Sequence, residues 1–105
     1  MLTQTPEISV ETYAAERDQG VTVDVRERME FAQAHVPGAI ALPMGLLASR
    51  LDEIDRSVRV HVICASGNRS RAMTDLLVAS GFDAVSIAGG TNAWITSGRP
   101  VDVGL

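Results

Sequence analysis

The chain has 105 residues, and one hydrophobic core is expected, because two domains of half this length would each bury too little surface. Hydrophobic residues form 46% and charged residues 21% of the sequence, as in globular proteins, and no apolar run approaches the roughly 18 residues that cross a bilayer. Nine basic and thirteen acidic residues give a net charge of −4, which argues against binding to a phosphate backbone. We therefore expect a single domain, residues 1–105, that binds neither a nucleic acid nor a membrane.

Residue counts exclude several kinds of site. All nine basic residues are arginines, so lysine Schiff-base and Walker-type chemistry are impossible. Cys64 is the single cysteine, which excludes a four-cysteine zinc site, a Cys-x-x-Cys redox pair and an internal disulfide, and we expect neither a metal nor a cofactor. The first residues contain no basic start followed by an apolar stretch, so we expect no secretory signal and a reducing cytoplasm, which suits a free thiol.

The first part of the chain predicts short strands that alternate with helices. Residues 8–17 are expected to supply a short strand and a helix, and residues 22–25 are β-branched and apolar, as in a buried strand. Residues 27–34 contain neither glycine nor proline and favour a helix, which the turn at residues 35–38 ends. The apolar residues 39–42, closed by a proline, are compatible with another strand.

The same alternation continues in the second part. Residues 46–54 place apolar side chains at helical spacing, and residues 59–63 predict a clear strand. Residues 70–80 carry an apolar helical stripe followed by glycine, residues 84–87 resemble a strand, and residues 91–97 predict a short helix. Strands and helices in this order indicate an α/β domain with a mostly parallel sheet and helices on both faces.

Cys64 follows the predicted strand 59–63 directly, at the carboxyl edge of the sheet where ligands of such folds bind. Gly67 allows the next residues to curl, so that a loop over residues 64–69 points backbone N–H groups at the sulfur. These donors, the dipole of the following helix, Arg69 and Arg71 would favour the thiolate. A lone cysteine is more often a small buried hydrophobe, but packing does not explain why cations, Gly67 and polar residues cluster at this junction.

The histidines are interpreted as structural. His61 lies three positions before Cys64 on the same strand, so the two side chains point to opposite faces of the sheet. His35 stands between a helix and Pro37, where a turn-stabilising hydrogen bond suits it. Phe31 and Trp94 are expected to pack rather than to bind substrate, and Gly89-Gly90 to form a tight turn.

Several ordered motifs resemble the rhodanese family of single-domain sulfurtransferases. Residues 24–27, 30–31 and 35–39 are similar to the family's N-terminal signature, residues 89–100 to its C-terminal one, and the loop after Cys64 to its active-site loop. Ala34 departs from the glycine that commonly precedes the histidine. The resemblance covers nearly the whole chain and implies a three-layer rhodanese-like fold with about five short strands.

The resemblance also implies a reaction. Cys64 would take the outer sulfur of a donor such as thiosulfate, release sulfite and pass the sulfur from a persulfide to cyanide in assays or a thiol in cells. Arg69 would contact the sulfonate end of the donor, with Arg71 a possible second cation, while Asp24 and Arg26 would form a supporting charge network. The residues expected to form the anion cradle, with N–H groups of residues 65–69 as donors, are Ala65, Ser66, Gly67, Asn68, Arg69 and Ser70.

Two other functions remain open at this point. A phosphatase or arsenate reductase of the same fold is disfavoured, because those enzymes place arginine sixth after the cysteine, where this chain has Ser70. A module that carries sulfur between protein partners, with little turnover of small donors, is equally compatible with Cys64. A purely structural module is least favoured, since the nucleophile is present.

Overall fold

The computed structural model describes residues 4–105 as one parallel sheet covered by helices on both faces. The five strands are β1 (Glu7–Ile8), β2 (Gly20–Asp24), β3 (Ile40–Ala41), β4 (Arg59–Ile63) and β5 (Ala84–Ile87). The five α-helices are α1 (Val10–Glu16), α2 (Arg28–Gln33), α3 (Met44–Leu47), α4 (Asn68–Ala79) and α5 (Gly90–Thr96). The predicted three-layer α/β architecture is confirmed. None of the helices in this described part has the length and apolar character that a membrane crossing demands.

The strands lie in the order β1-β5-β4-β2-β3, and every pair is parallel. The central strand β4 pairs with β2 in a register that sets Ile63 opposite Asp24. All strands therefore end at one edge, where the loops after β2, β3, β4 and β5 meet. This edge holds Cys64.

Alternate residues of β4 belong to two separate cores. Val60, Val62 and Cys64 pack in a cluster that includes Leu77 of α4, whereas Ile63 packs in a second cluster with Trp94 of α5. Successive side chains of a strand point to opposite faces, and Cys64 directly follows β4 and continues this alternation, which fixes the direction of its thiol. The thiol consequently faces the layer that contains α3 and α4.

Two sequence predictions require correction. Residues 46–54 do not form one helix: α3 ends at Leu47, and a separate 3₁₀ turn covers Leu51–Glu53. The hydroxyl of Ser49 donates to the Leu46 carbonyl at 2.9 Å and supports a turn in place of further α-helix. In addition, α4 begins at Asn68 instead of residue 70, so the loop after β4 contains four residues, 64–67, rather than six.

Candidate active site

The sulfur of Cys64 lies at the start of a tight loop that folds back over it. The residue is 1% exposed, and its Sγ accepts hydrogen bonds from the backbone N–H groups of Gly67 at 3.1 Å and Ser70 at 3.3 Å. Gly67 has a φ of 110°, a conformation that residues with a side chain rarely adopt. This turn brings the first N–H groups of α4 to the sulfur. Of the N–H groups expected at residues 65–69, Gly67 donates to the sulfur, and Ser70, whose N–H was not among them, donates as well.

Two buried hydroxyls, those of Ser70 and Ser86, form a hydrogen-bonded chain that ends at the sulfur. Ser70 Oγ lies 3.4 Å from Cys64 Sγ, 3.1 Å from the Gly67 carbonyl oxygen and 2.8 Å from Ser86 Oγ, and both serines are fully buried. When the sulfur is a thiolate, the Ser70 hydroxyl can turn and donate to it. Ser86 belongs to β5, and the sequence pattern gave no signal of this contact because the two serines are sixteen positions apart.

These hydrogen bonds decide the protonation of the thiol. Burial raises the pKa of Cys64, but the Ser70 hydroxyl and the N–H groups of Ser70, Gly67 and Ser66 lower it by more, so the pKa lies below its ordinary value. Backbone dipoles and one hydroxyl therefore dominate the shift. At a given pH a larger fraction of this sulfur is therefore thiolate, the nucleophilic form, than of an ordinary thiol.

The start of α5 donates hydrogen bonds to the carbonyl groups of the loop that carries Cys64. The N–H groups of Thr91 and Asn92 donate to the carbonyl oxygens of Cys64 at 2.8 Å and Ala65 at 3.0 Å. A Cβ at Gly90 would collide with both carbonyls, so only glycine allows this approach. Gly89-Gly90 was expected to be simply a tight turn, whereas Gly90 also makes room for the loop that carries Cys64.

Arg69 is held by a carboxylate that the sequence interpretation had not assigned to the site. Its two terminal nitrogens bind the two oxygens of Glu30 at 2.7 and 2.9 Å, joining α4 to α2. The hydrogen bond from Arg69 lowers the pKa of Glu30 to about 2. The same hydrogen bond, together with the negative charges of Glu30 and Cys64, raises the pKa of Arg69. The guanidinium thus lies within electrostatic range of the sulfur but is paired with Glu30.

A second ion pair, which unlike the first is buried, lies at the end of β2. Arg26 donates to Asp24 at 2.8 and 3.0 Å, and also to the Ala34 carbonyl at 2.8 Å, so it ties the end of β2 to the end of α2. His35 Nδ1 donates to the Phe31 carbonyl oxygen at 2.8 Å, and its ring stacks on the Phe31 ring. Asp24, Arg26 and His35 therefore contact one another's neighbouring elements and not the sulfur, and their supporting role stays a prediction.

Three other predicted residues lie away from the sulfur. His61 is buried on the opposite face of the sheet and contacts Glu16 at 2.7 Å, in keeping with its structural interpretation. Arg71 and Asn68 are exposed, and among residues 4–105 no side-chain hydrogen bond links either of them to the sulfur. Arg69, which interacts electrostatically with Cys64, is therefore favoured over the exposed Arg71 as the cation that acts on the site.

Comparisons with known proteins agree with this arrangement. Residues 9–97 match the family model described as Rhodanese-like domain. The thiosulfate sulfurtransferase GlpE of Pseudomonas syringae pv. syringae is 35% identical over 98 residues, which cover 91% of this chain and 92% of that protein. A rhodanese-related protein from Thermoplasma volcanium superposes with a TM-score of 0.90 at 30% identity, covering 93% of this chain and 98% of that one.

A further relative has a different described role. The Bacillus subtilis protein named "Putative sulfur carrier protein YrkF" is 32% identical over 93 residues, which are 85% of this chain. The matched region is 50% of that protein, so this chain spans about half of its length.

Proposed function

This chain belongs to the family of rhodanese-like domains, and from that premise we propose that it moves a sulfane sulfur through a persulfide on Cys64. The proposed donors are thiosulfate and chemically related compounds, and the acceptors are thiols or, in assays, cyanide. The observation that supports it most is the sulfur of Cys64 held by the N–H groups of Gly67 and Ser70. That arrangement lowers the pKa of the thiol and so provides the nucleophile.

The proposed reaction has two steps. The Cys64 thiolate attacks the outer sulfur of thiosulfate, the S–S bond of the donor breaks, and sulfite leaves with the bonding electron pair. The resulting persulfide carries one negative charge, and the same amides that stabilise the thiolate can stabilise it. An external thiolate or cyanide then attacks the outer sulfur and restores the Cys64 thiolate.

The acceptor must come from outside these 105 residues. Cys64 is the single cysteine, so no second thiol of this chain can attack the persulfide. A reducing compartment such as the cytoplasm, where thiols are abundant, suits both the free cysteine and this acceptor. Small molecules and cysteines of partner proteins both fit this scheme as donor and acceptor.

Phosphoryl transfer is the less favoured chemistry at this site. A four-residue loop and two amides directed at one sulfur leave little room for the tetrahedral oxyanion that a phosphatase or arsenate reductase must surround. The cation that would stabilise such an anion, Arg69, is paired with Glu30. We therefore expect no turnover of aryl phosphates.

A sulfur carrier is the second candidate function. It is supported by the likeness to the protein named as a sulfur carrier and by the pairing of Arg69, which weakens the site for small anionic donors. Such a module would accept its sulfur from a partner protein and show slow turnover of thiosulfate.

Intact-mass spectrometry tests the proposal. We expect the purified protein to gain one sulfur atom when thiosulfate is added and to lose it when cyanide follows. The nearly isosteric variant Cys64→Ser should keep its fold, shown by an unchanged circular dichroism spectrum, and gain no sulfur. Loading of Cys64→Ser would reject the mechanism. Loading by a persulfidated partner protein but not by thiosulfate would favour the carrier.

A further inference from the structure

Four charged side chains beside Cys64 form two closed ion pairs. Glu30 binds both terminal nitrogens of Arg69, and Asp24 binds Arg26 at 2.8 Å. The four charges act on one another as a group, since the cations Arg69 and Arg26 both lower the pKa of Glu30. Two cations and two carboxylates leave this group with no net charge, and the Cys64 thiolate adds one negative charge. Arg28 and Arg71, the other cations on α2 and α4, have exposed side chains in solvent.

This balance has a consequence for the sulfur donor. Thiosulfate carries two negative charges, whereas an organic thiosulfonate or an alkyl persulfide carries one at its reacting group. Without surplus positive charge at the site, the electrostatic cost of bringing the donor to the thiolate rises with the charge of the donor. The N–H groups of Gly67 and Ser70 already donate to the Cys64 sulfur, so they are not free to offset the second charge of thiosulfate.

We propose that Glu30 is a specificity-determining residue, which makes the site favour singly charged sulfane donors over thiosulfate by occupying Arg69. The inference rests on the proposed sulfur transfer. Glu30 influences which donor binds, and Cys64 makes the new S–S bond. A doubly charged donor has to compete with the Glu30 carboxylate for the same guanidinium.

Glu30→Gln isolates the charge of this residue. Besides binding Arg69, Glu30 accepts a hydrogen bond from the Glu27 N–H at 3.0 Å and so caps the first turn of α2. Glutamine at this position of a capping box keeps that hydrogen bond. The variant therefore preserves the start of α2 while it frees the positive charge of Arg69.

Two donors of closely similar shape provide the test. In methanethiosulfonate a methyl group replaces one charged oxygen of thiosulfate, so the donor has one negative charge. With either donor the Cys64 thiolate attacks the outer sulfur and the donor's S–S bond breaks. Methanesulfinate or sulfite leaves with the electron pair, and Cys64 is left as the persulfide. The rate constant for sulfur gain by intact mass is measured for each donor at low ionic strength, and the thiosulfate-to-methanethiosulfonate ratio is compared between proteins.

We expect the wild-type chain to prefer methanethiosulfonate, and Glu30→Gln to raise the ratio about threefold to tenfold, the effect of one unit charge near a protein surface. Glu11→Gln removes the same charge from an exposed position on α1 and should leave the ratio unchanged. If Glu30 only holds the loop in place, Glu30→Gln slows both donors alike and the ratio stays constant, which overturns the inference. If neither donor loads wild-type Cys64, the proposed function itself fails.

Discussion

At the scale of single residues, the chemistry of Cys64 depends on hydrogen bonds from backbone N–H groups and one hydroxyl, and not on a charged side chain. Buried thiols ordinarily resist ionisation, yet the pKa of this one is lowered, because several donors converge on one sulfur. The contribution of Ser70 is double, since its N–H lies 3.3 Å and its hydroxyl 3.4 Å from Sγ. Ser70 is therefore the residue whose side chain most directly tunes the nucleophile.

Ser70→Ala should make Cys64 less reactive. The variant keeps the backbone N–H but loses the hydroxyl, so the pKa of the thiol rises and the thiolate fraction falls. At about pH 7 we expect alkylation of Cys64 by iodoacetamide to slow by about threefold to tenfold. Ser66→Ala is the control, because Ser66 contributes to the site through its backbone N–H and its side chain is exposed. Equal alkylation rates in all three proteins would contradict a role for the hydroxyl.

At the scale of elements, the position of Cys64 follows from the contact between the loop after β4 and the start of α5. The first N–H groups of α5 bind the two carbonyls of that loop, and this leaves the amides on the other side of the loop directed at the sulfur. Gly90 is the point of closest approach, and any side chain there would push the two elements apart. The start of α5 is thus part of the scaffold of the site, although none of its side chains has been assigned to the chemistry.

A pair of glycine substitutions tests this contact. Gly90 and Gly98 both have positive φ values, of 57° and 82°, but a Cβ at Gly98 would meet no atom within 4 Å. Gly98→Ala should lower the free energy of unfolding by about 1–2 kcal/mol through backbone strain alone. Gly90→Ala should cost about 1–3 kcal/mol more, through the collision with the loop, and should also slow sulfur loading. Urea denaturation measures both values, and equal losses would mean that the contact is unimportant.

The bounds of the strands and helices could be predicted from the sequence only in part. The strands at residues 59–63 and 84–87 have the predicted bounds, because short β-branched apolar runs are strong local signals. The prediction of one continuous helix over residues 46–54 was wrong. Apolar spacing takes no account of the Ser49 hydroxyl, which donates to the Leu46 carbonyl within the same turn. The Glu30–Arg69 pair lies beyond local prediction for another reason: its partners are 39 positions apart and meet only when α2 packs beside α4.

At the scale of the whole molecule, the charges of the site also contribute to folding. Arg69 lowers the pKa of Glu30 from its ordinary 4.5 to about 2 in the folded chain. A carboxylate with a lowered pKa stabilises the folded state fully above the pKa of the unfolded chain, and this contribution disappears as the pH falls through the folded value. In acid, therefore, the Glu30–Arg69 ion pair that joins α2 to α4 is lost.

We expect this loss to be measurable by urea denaturation of the wild-type chain and Glu30→Gln. The Glu30 side chain is 35% exposed, so solvent screening reduces its contribution to about 1 kcal/mol. The wild-type advantage in free energy of unfolding should be complete at about pH 6 and should disappear as the pH approaches 2. A difference that stays constant over this range would show that the ion pair does not stabilise the fold.

The alternation of side chains between the two faces of the sheet along β4 limits which insertions and deletions this strand can accept. Val60, Val62 and Cys64 share one face of the sheet, and His61 and Ile63 belong to the other. An insertion or deletion of one residue before Cys64 would rotate the sulfur towards Tyr13 and Trp94, away from its amides, whereas a change of two residues would preserve its direction. Mutational tolerance in this strand should therefore depend on whether the number of residues gained or lost is even or odd.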